Sequence, residues 1–406
     1  MTDPLGRPTS RLVSIDALRA VAAVAVVLNH VPQRRGSFGA FGNVLFLPLV
    51  MGSLGVPLFL AISGFCIHMA ARRAVHPVTG HTDWAAFWKR RIVRLYPPYV
   101  AAIVLSMAIY YGTGGAHYFI PMNRIENPVT DVLVHLSMVH NLTQSYVVSL
   151  ANGAFWSLGL EEQLYALYAL YILLRRRVSA MHVAALALAI ALVWRFCVVV
   201  PFVMDHWGPL GSWRTWPFSW WFAWIAGALV AEAYEGTTRL PRWCTSLPLA
   251  AALAGAGAFL YPTVIEYPPL ASFYHSSEQR TTLFWYLQQL SELLFAVAFT
   301  IGMYRAVMWE RRAKVIPWLV SAASKLGTIS YSLYLVHLPL VAYLGFVLFP
   351  GDGLGWMLLR CALAVPLSIL LAWIFFMAVE RHFLNRRPKR AEAGHRSPTF
   401  VRGTAL

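Results

Sequence analysis

Apolar stretches of about twenty residues recur along the whole chain, each closed by a short polar or basic segment. At a helical rise of about 1.5 Å per residue, that length spans a bilayer core of about 30 Å. Ten such segments can be drawn, over 12–31, 52–71, 93–112, 153–174, 180–204, 217–235, 246–264, 283–307, 326–348 and 355–380. The pattern predicts an all-α, polytopic membrane protein with about ten transmembrane helices. Residues 1–385 form one integral membrane domain in this reading, and 386–406 a basic, disordered cytoplasmic tail. Between the third and fourth spans, the run DVLVHLSMVHNLTQSYVV (131–148) is too polar to cross and predicts an interfacial or re-entrant helix.

Composition sharpens this picture. The chain is 58% hydrophobic and 12% charged, whereas a soluble domain carries about a quarter charged residues. The formal net charge of +16 raises the question of nucleic acid, but its placement answers it. Of the 33 Lys and Arg residues, 25 fall on one side of the drawn topology and five on the other. The positive-inside rule then puts both termini in the cytoplasm and excludes a nucleic-acid partner. The expected setting is multi-pass in a bacterial cytoplasmic membrane, in contact with lipid, with a homo-oligomer left open. The first apolar segment is interrupted by Asp16 and Arg19, so it reads as a retained helix rather than a signal peptide. Cys66, Cys197, Cys244 and Cys361 are scattered without disulfide or metal-ligand spacing, and read as small core residues.

Ionisable groups inside a membrane are costly, so each needs a partner or a task. The first span carries Asp16 and Arg19 near one end and His30 at the other. Arg19 and His30 stand eleven residues apart, roughly 16 Å along the axis. The fourth span opens NGAFWSLGLEEQLY, with Trp156 and Ser157 at its start and two adjacent carboxylates, Glu161 and Glu162. Helical spacing puts Ser157, Glu161 and Tyr165 on one stripe. At similar depth, Glu161 is expected to hydrogen-bond His30, fix its tautomer and make it a general base for a hydroxyl. On the cytoplasmic side, Arg91 and Arg94 stand three apart just before Pro97 and Pro98, a spacing suited to a phosphate group. Asp16, Arg19, Trp156, Ser157 and His337 are expected to support or line the site. Arg195 and Glu232 read as structural. Trp207, Trp213, Trp216, Trp220, Trp221 and Trp224 are either an interfacial belt or a stacking platform for sugar rings. No metal site is expected.

Five stretches, taken in order, resemble the membrane-bound acyltransferase-3 family: SIDALRAVAAVAVVLNH (14–30), GVPLFLAISGF (55–65), RRIVRLYP (90–97), WSLGLEEQLY (156–165) and SYSLYLVHLPL (330–340). VERHF (379–383) is a weaker closing match. Pro57 departs from the acidic or polar residue common at that place in the family. The resemblance implies transfer of an acyl group, usually acetyl, from cytoplasmic acyl-CoA to a hydroxyl of an extracytoplasmic glycan or related acceptor. It implies roles for Arg19 with His30 and for Arg91 with Arg94, and it puts the motif carboxylate on Glu161. Acyl-CoA would be a co-substrate, with no bound cofactor. The acceptor stays open among a polysaccharide, a glycolipid and a macrolide-like metabolite. A transporter or flippase for a glycan or lipid-linked precursor is the competing reading, since intramembrane His, Glu and Arg also suit proton coupling.

Overall fold

A computed structural model describes residues 11–31, 51–73, 82–113, 125, 127–201, 212–261, 277–351 and 353–384. The basic tail from 386 and Trp207 lie outside the described residues. Twelve α-helices make up the architecture among these residues: α1 Val13–His30, α2 Gly55–Arg73, α3 Trp84–Gly112, α4 Pro128–Leu136, α5 Trp156–Arg175, α6 Ala180–Val193, α7 Pro217–Glu235, α8 Leu247–Leu260, α9 Ser277–Arg312, α10 Trp318–Gly327, α11 Ser330–Tyr343 and α12 Leu354–Ala378. No β-strand occurs among them.

Over their described residues, the expected apolar segments are largely helical. Among the described residues, seven helical stretches are long and apolar enough to cross a membrane: Val13–His30, Gly55–Arg72, Trp84–Gly112, Ala180–Val199, Trp285–Arg312, Ser330–Leu348 and Leu354–His382. The other three are α5, α7 and α8; α5 and α7 carry carboxylates and tryptophans, and α8 is short. The polar run at 131–148 supplies α4, which starts with Pro128 behind an Asn127 cap.

One boundary moves in a way that matters for the site. The third helix begins nine residues before the expected 93, because Asp83 accepts from Ala86 N at 2.9 Å and caps a turn at Trp84. Lys89 to Arg94 are therefore helical. Pro97 and Pro98 lie inside α3 and deprive only the Val93 and Arg94 carbonyls of an i+4 donor.

The helices approach closely at glycines. A Cβ on Gly64 of α2 would lie 1.9 Å from Trp224 O, and one on Gly227 of α7 would lie 1.8 Å from Ala61 O. Gly327 does the same for α10 against α1, where a Cβ would meet Asp16 O at 1.8 Å. Small residues let backbones touch in a setting where burial in lipid supplies no hydrophobic drive between helices.

Two helix starts are capped from far along the chain. Glu310 at the end of α9 accepts from Val13 N at 2.8 Å, Ser14 N at 2.7 Å and Ser14 Oγ at 2.6 Å. Glu380 accepts from Ser332 N at 3.1 Å and Ser332 Oγ at 2.5 Å in the first turn of α11. A carboxylate at a helix N-terminus satisfies orphan amides and complements the dipole. Elsewhere, Arg195 donates to Glu292 Oε2 and Gln289 Oε1, both at 2.7 Å, and Arg214 completes the Glu292 pairing. Glu232 accepts from Arg175, Tyr171 and Thr238.

The segment after α4 is pinned to α5. Gln163 Nε2 donates to Asn141 Oδ1 at 2.7 Å and Met138 O at 3.0 Å, with Met138 in the left-handed region at φ 56°. Asn141 Nδ2 donates to Thr215 O at 3.0 Å. The tryptophans staple the same region. Trp194, Trp213 and Trp216 stack on one another, while Trp194, Trp216 and Trp220 donate to the carbonyls of Trp213, Leu142 and Arg214. Their N–H groups are occupied by backbone.

Two predictions follow from this packing. Gly227→Ala lowers stability by about 1–3 kcal/mol through overpacking. Gly255→Ala, where nothing lies within 4 Å, leaves it unchanged or raises it by up to about 1 kcal/mol. Thermal unfolding in detergent compares the two. The second concerns His135 and His140, stacked with ring centroids 4.1 Å apart outside the crossing helices. Burial, and for His135 the adjoining His140, pushes their pKa values down to about 3 and about 4, so both are neutral when folded. The unfolded chain binds protons first, so stability falls as pH drops below about 6.5. The Tm should decline between pH 7 and pH 5, and less steeply in His135→Phe.

Candidate active site

The wall of one large cavity gathers most of the charged residues singled out in the sequence. It measures about 810 Å³ and lies between α1, α2, α3, α5 and α11, with Glu380 at its edge. Four guanidinium groups (Arg11, Arg19, Arg91, Arg94) and three carboxylates (Asp16, Glu161, Glu380) line it. Ser157 lines it too.

The carboxylates are all engaged. Asp16 is buried in the first turns of α1, bonded to Arg11 Nε on one oxygen and to Arg19 Nη1 at 3.1 Å on the other. The pairing of Asp16 with Arg19 follows from their i, i+3 spacing. Arg19 Nη2 also lies 3.1 Å from Cys66 Sγ. Cys66, expected to be a core residue, thus faces the cavity. Glu161 Oε1 accepts from Ser63 Oγ at 2.7 Å and Tyr165 Oη at 2.5 Å, and Glu380 is held by Ser332.

Arg91 and Arg94 differ from these groups. Neither forms an ion pair or hydrogen bond among the described residues, and Arg91 Nε is buried without a partner. Aromatic faces support Arg91 instead, with its guanidinium carbon 5.5 Å from the Phe87 centroid and 5.8 Å from that of Tyr165. Two cations three residues apart therefore line the cavity without a directly bonded carboxylate, although Glu380 stands on the same wall.

The expected bond between Glu161 and His30 does not form. Glu161 turns to Ser63 across the α2–α5 contact and to Tyr165 on its own helix. His30 instead lies with His337: His30 Nδ1 is 2.8 Å from Val26 O and 3.2 Å from His337 Nε2. Glu161 stands on the cavity wall near Arg19, at the other end of α1 from His30. His30 and His337 are absent from the cavity wall but stand close beyond it. Tyr334, which lines the cavity, has its ring 5.8 Å from that of His337, whose ring is 5.1 Å from that of His30. Tyr334 Oη donates to Ala154 O at 2.8 Å and bonds Ser157 Oγ at 2.6 Å, closing that end. Trp156 packs beside Trp220 with centroids 6.0 Å apart and does not line the cavity.

Sequence reasoning missed Tyr334, Glu380 and Cys66. Tyr334 precedes His337 by three positions and shares its helix face, a signal available in the spacing. Glu380 lies in the closing VERHF stretch but has no local feature that points to Ser332. Among the described residues, no group of three or more His, Cys, Asp or Glu side chains is arranged to hold a metal ion.

The acyltransferase MdmB of Streptomyces mycarofaciens is 28% identical over 200 residues, which is 48% of this chain and only about half (47%) of that protein. BcsY of Komagataeibacter xylinus, named as a membrane-bound transacylase, is 25% identical over 405 residues, covering 95% of this chain and 86% of its own length. A third relative, protein 2 in the picA locus of Rhizobium radiobacter, is 29% identical over 196 residues, 45% of this chain and 96% of that protein. No solved structure matches. A family model described as an acyltransferase domain matches residues 12–376, and the chain belongs to the acyltransferase-3 family of membrane acyltransferases.

Proposed function

We propose that the protein moves an acyl group, acetyl by preference, from acyl-CoA on the cytoplasmic side to a hydroxyl of an extracytoplasmic glycan or related acceptor. The observation that carries this reading is a pair of cations without a directly bonded carboxylate, Arg91 and Arg94, in a cavity whose other end lies against the His337–His30 pair. Paired guanidinium groups suit the phosphates of the donor. The Lys and Arg bias puts that end in the cytoplasm. An extended pantetheine arm of about 20 Å would then carry the thioester toward Tyr334 and the histidines.

His30 acts as the general base in this scheme. The acceptor O–H proton passes to its imidazole, the oxygen bonds to the thioester carbon, and the carbon–sulfur bond breaks. The same proton then goes to the departing thiolate. Asp16 and Arg19 hold the donor path, and Arg19 sets a positive charge beside Cys66. Glu161 serves the donor side of the cavity, where it fixes Ser63 and Tyr165, rather than orienting the base.

Two measurements test this. With labelled acetyl-CoA and an envelope fraction as acceptor, the double variant Arg91→Ala, Arg94→Ala should raise the donor KM by about 10- to 100-fold, the worth of one charged hydrogen bond or more. An unchanged donor KM removes these residues from the donor site. His30→Ala should cut kcat by about 10²- to 10⁴-fold at nearly constant donor KM. Wild-type turnover in folded His30→Ala protein would end the proposal.

A further inference from the structure

The two histidines form a pair whose proton positions follow from the acceptors around them. His337 Nδ1 lies 2.9 Å from Tyr334 O and 3.1 Å from Leu333 O. A carbonyl can only accept, so His337 Nδ1 carries a hydrogen and, in the neutral ring, Nε2 carries the lone pair. That lone pair faces His30 Nδ1 at 3.2 Å. His30 Nδ1 also lies 2.8 Å from Val26 O, again an obligate acceptor. Every contact at His30 Nδ1 therefore demands a donor. His30 Nε2 is left as the ring nitrogen with the free lone pair.

We infer that His337 is a positioning residue that holds His30 in the Nδ1–H tautomer and so presents Nε2 as the basic nitrogen. This rests on the reading of His30 as the general base. The pairing takes the place that Glu161 was expected to fill, and it differs in kind. His337 is fully buried, and no described carboxylate bonds either ring. When His30 accepts a proton, its Nδ1–H points at two neutral acceptors, a carbonyl and an imidazole. The resting site then holds no buried anion that would need its own counter-ion. The ring planes are inclined at 50°, and the 3.2 Å contact brings His30 Nδ1 to the edge of His337 that bears Nε2.

Position-specific isosteres test this. The amide oxygen of Gln can take the place of a histidine Nε2, whereas that of Asn reaches only the Nδ1 position. His337→Gln should retain kcat within about fivefold of the wild type, His337→Asn and His337→Leu should lose roughly 100-fold, and donor KM should stay constant in all three, near the lower bound of what a positioned base contributes. The constant donor KM also reports that the donor cavity is intact in each variant. Equal turnover of the Gln and Asn variants, or wild-type kcat in His337→Leu, overturns the inference. His30→Ala, assayed alongside, separates the two ideas. If it is inactive while His337→Leu is fully active, only the pairing fails; if it is fully active, the base assignment fails first.

Discussion

A charge inside a bilayer must be neutralised, bonded or put to use, and the partition of the charged groups here follows from that constraint. Asp16, Glu161, Glu232, Glu292, Glu310 and Glu380 are each engaged by donors within the fold. Their partners tie α1 to α9, α2 to α5, α5 to α7 and α11 to the end of α12. Arginines are engaged in the same way wherever they meet a carboxylate. Arg91 and Arg94 are the cavity cations left over. The positive charge that would draw an anion is the remainder after the structural pairs have formed.

The α1 helix shows how far sequence carries the reader. Its length, its paired Asp16 and Arg19, and the axial offset of His30 are local properties, readable from a rise of about 1.5 Å per residue and the i, i+3 rule. The helical character of the apolar segments was legible for the same reason. Partners across helices were not. Glu161 lies near Arg19 rather than at the His30 end of α1, because the depth and direction of a side chain are set by packing at contacts such as Gly64 with Trp224, which no single segment encodes. Tyr165, one turn along, offers Glu161 a nearer donor than any imidazole.

Cys66 and the tryptophans teach the same lesson from the opposite direction. A small apolar-looking residue faces a guanidinium because α2 turns that edge toward Arg19. Of the tryptophans that composition cannot divide between belt and platform, Trp216 and Trp220 direct their indole N–H groups at the Leu142 and Arg214 carbonyls, while Trp224 turns to Ser63 Oγ. A buried N–H seeks an acceptor, and for the first two the polar connections between helices supply it.

The remote caps impose an order of assembly. The carboxylate that finishes the start of α1 arrives 297 positions later, and the one that finishes α11 arrives 48 positions after Ser332. While the chain is still emerging from the ribosome, α1 can enter the bilayer but its first amides remain open. The cavity, with Tyr334 and Glu380 on its wall, is complete only once the final helices have been translated and docked. A nascent chain therefore holds no finished cavity, and every function of that cavity waits on the last part of the chain.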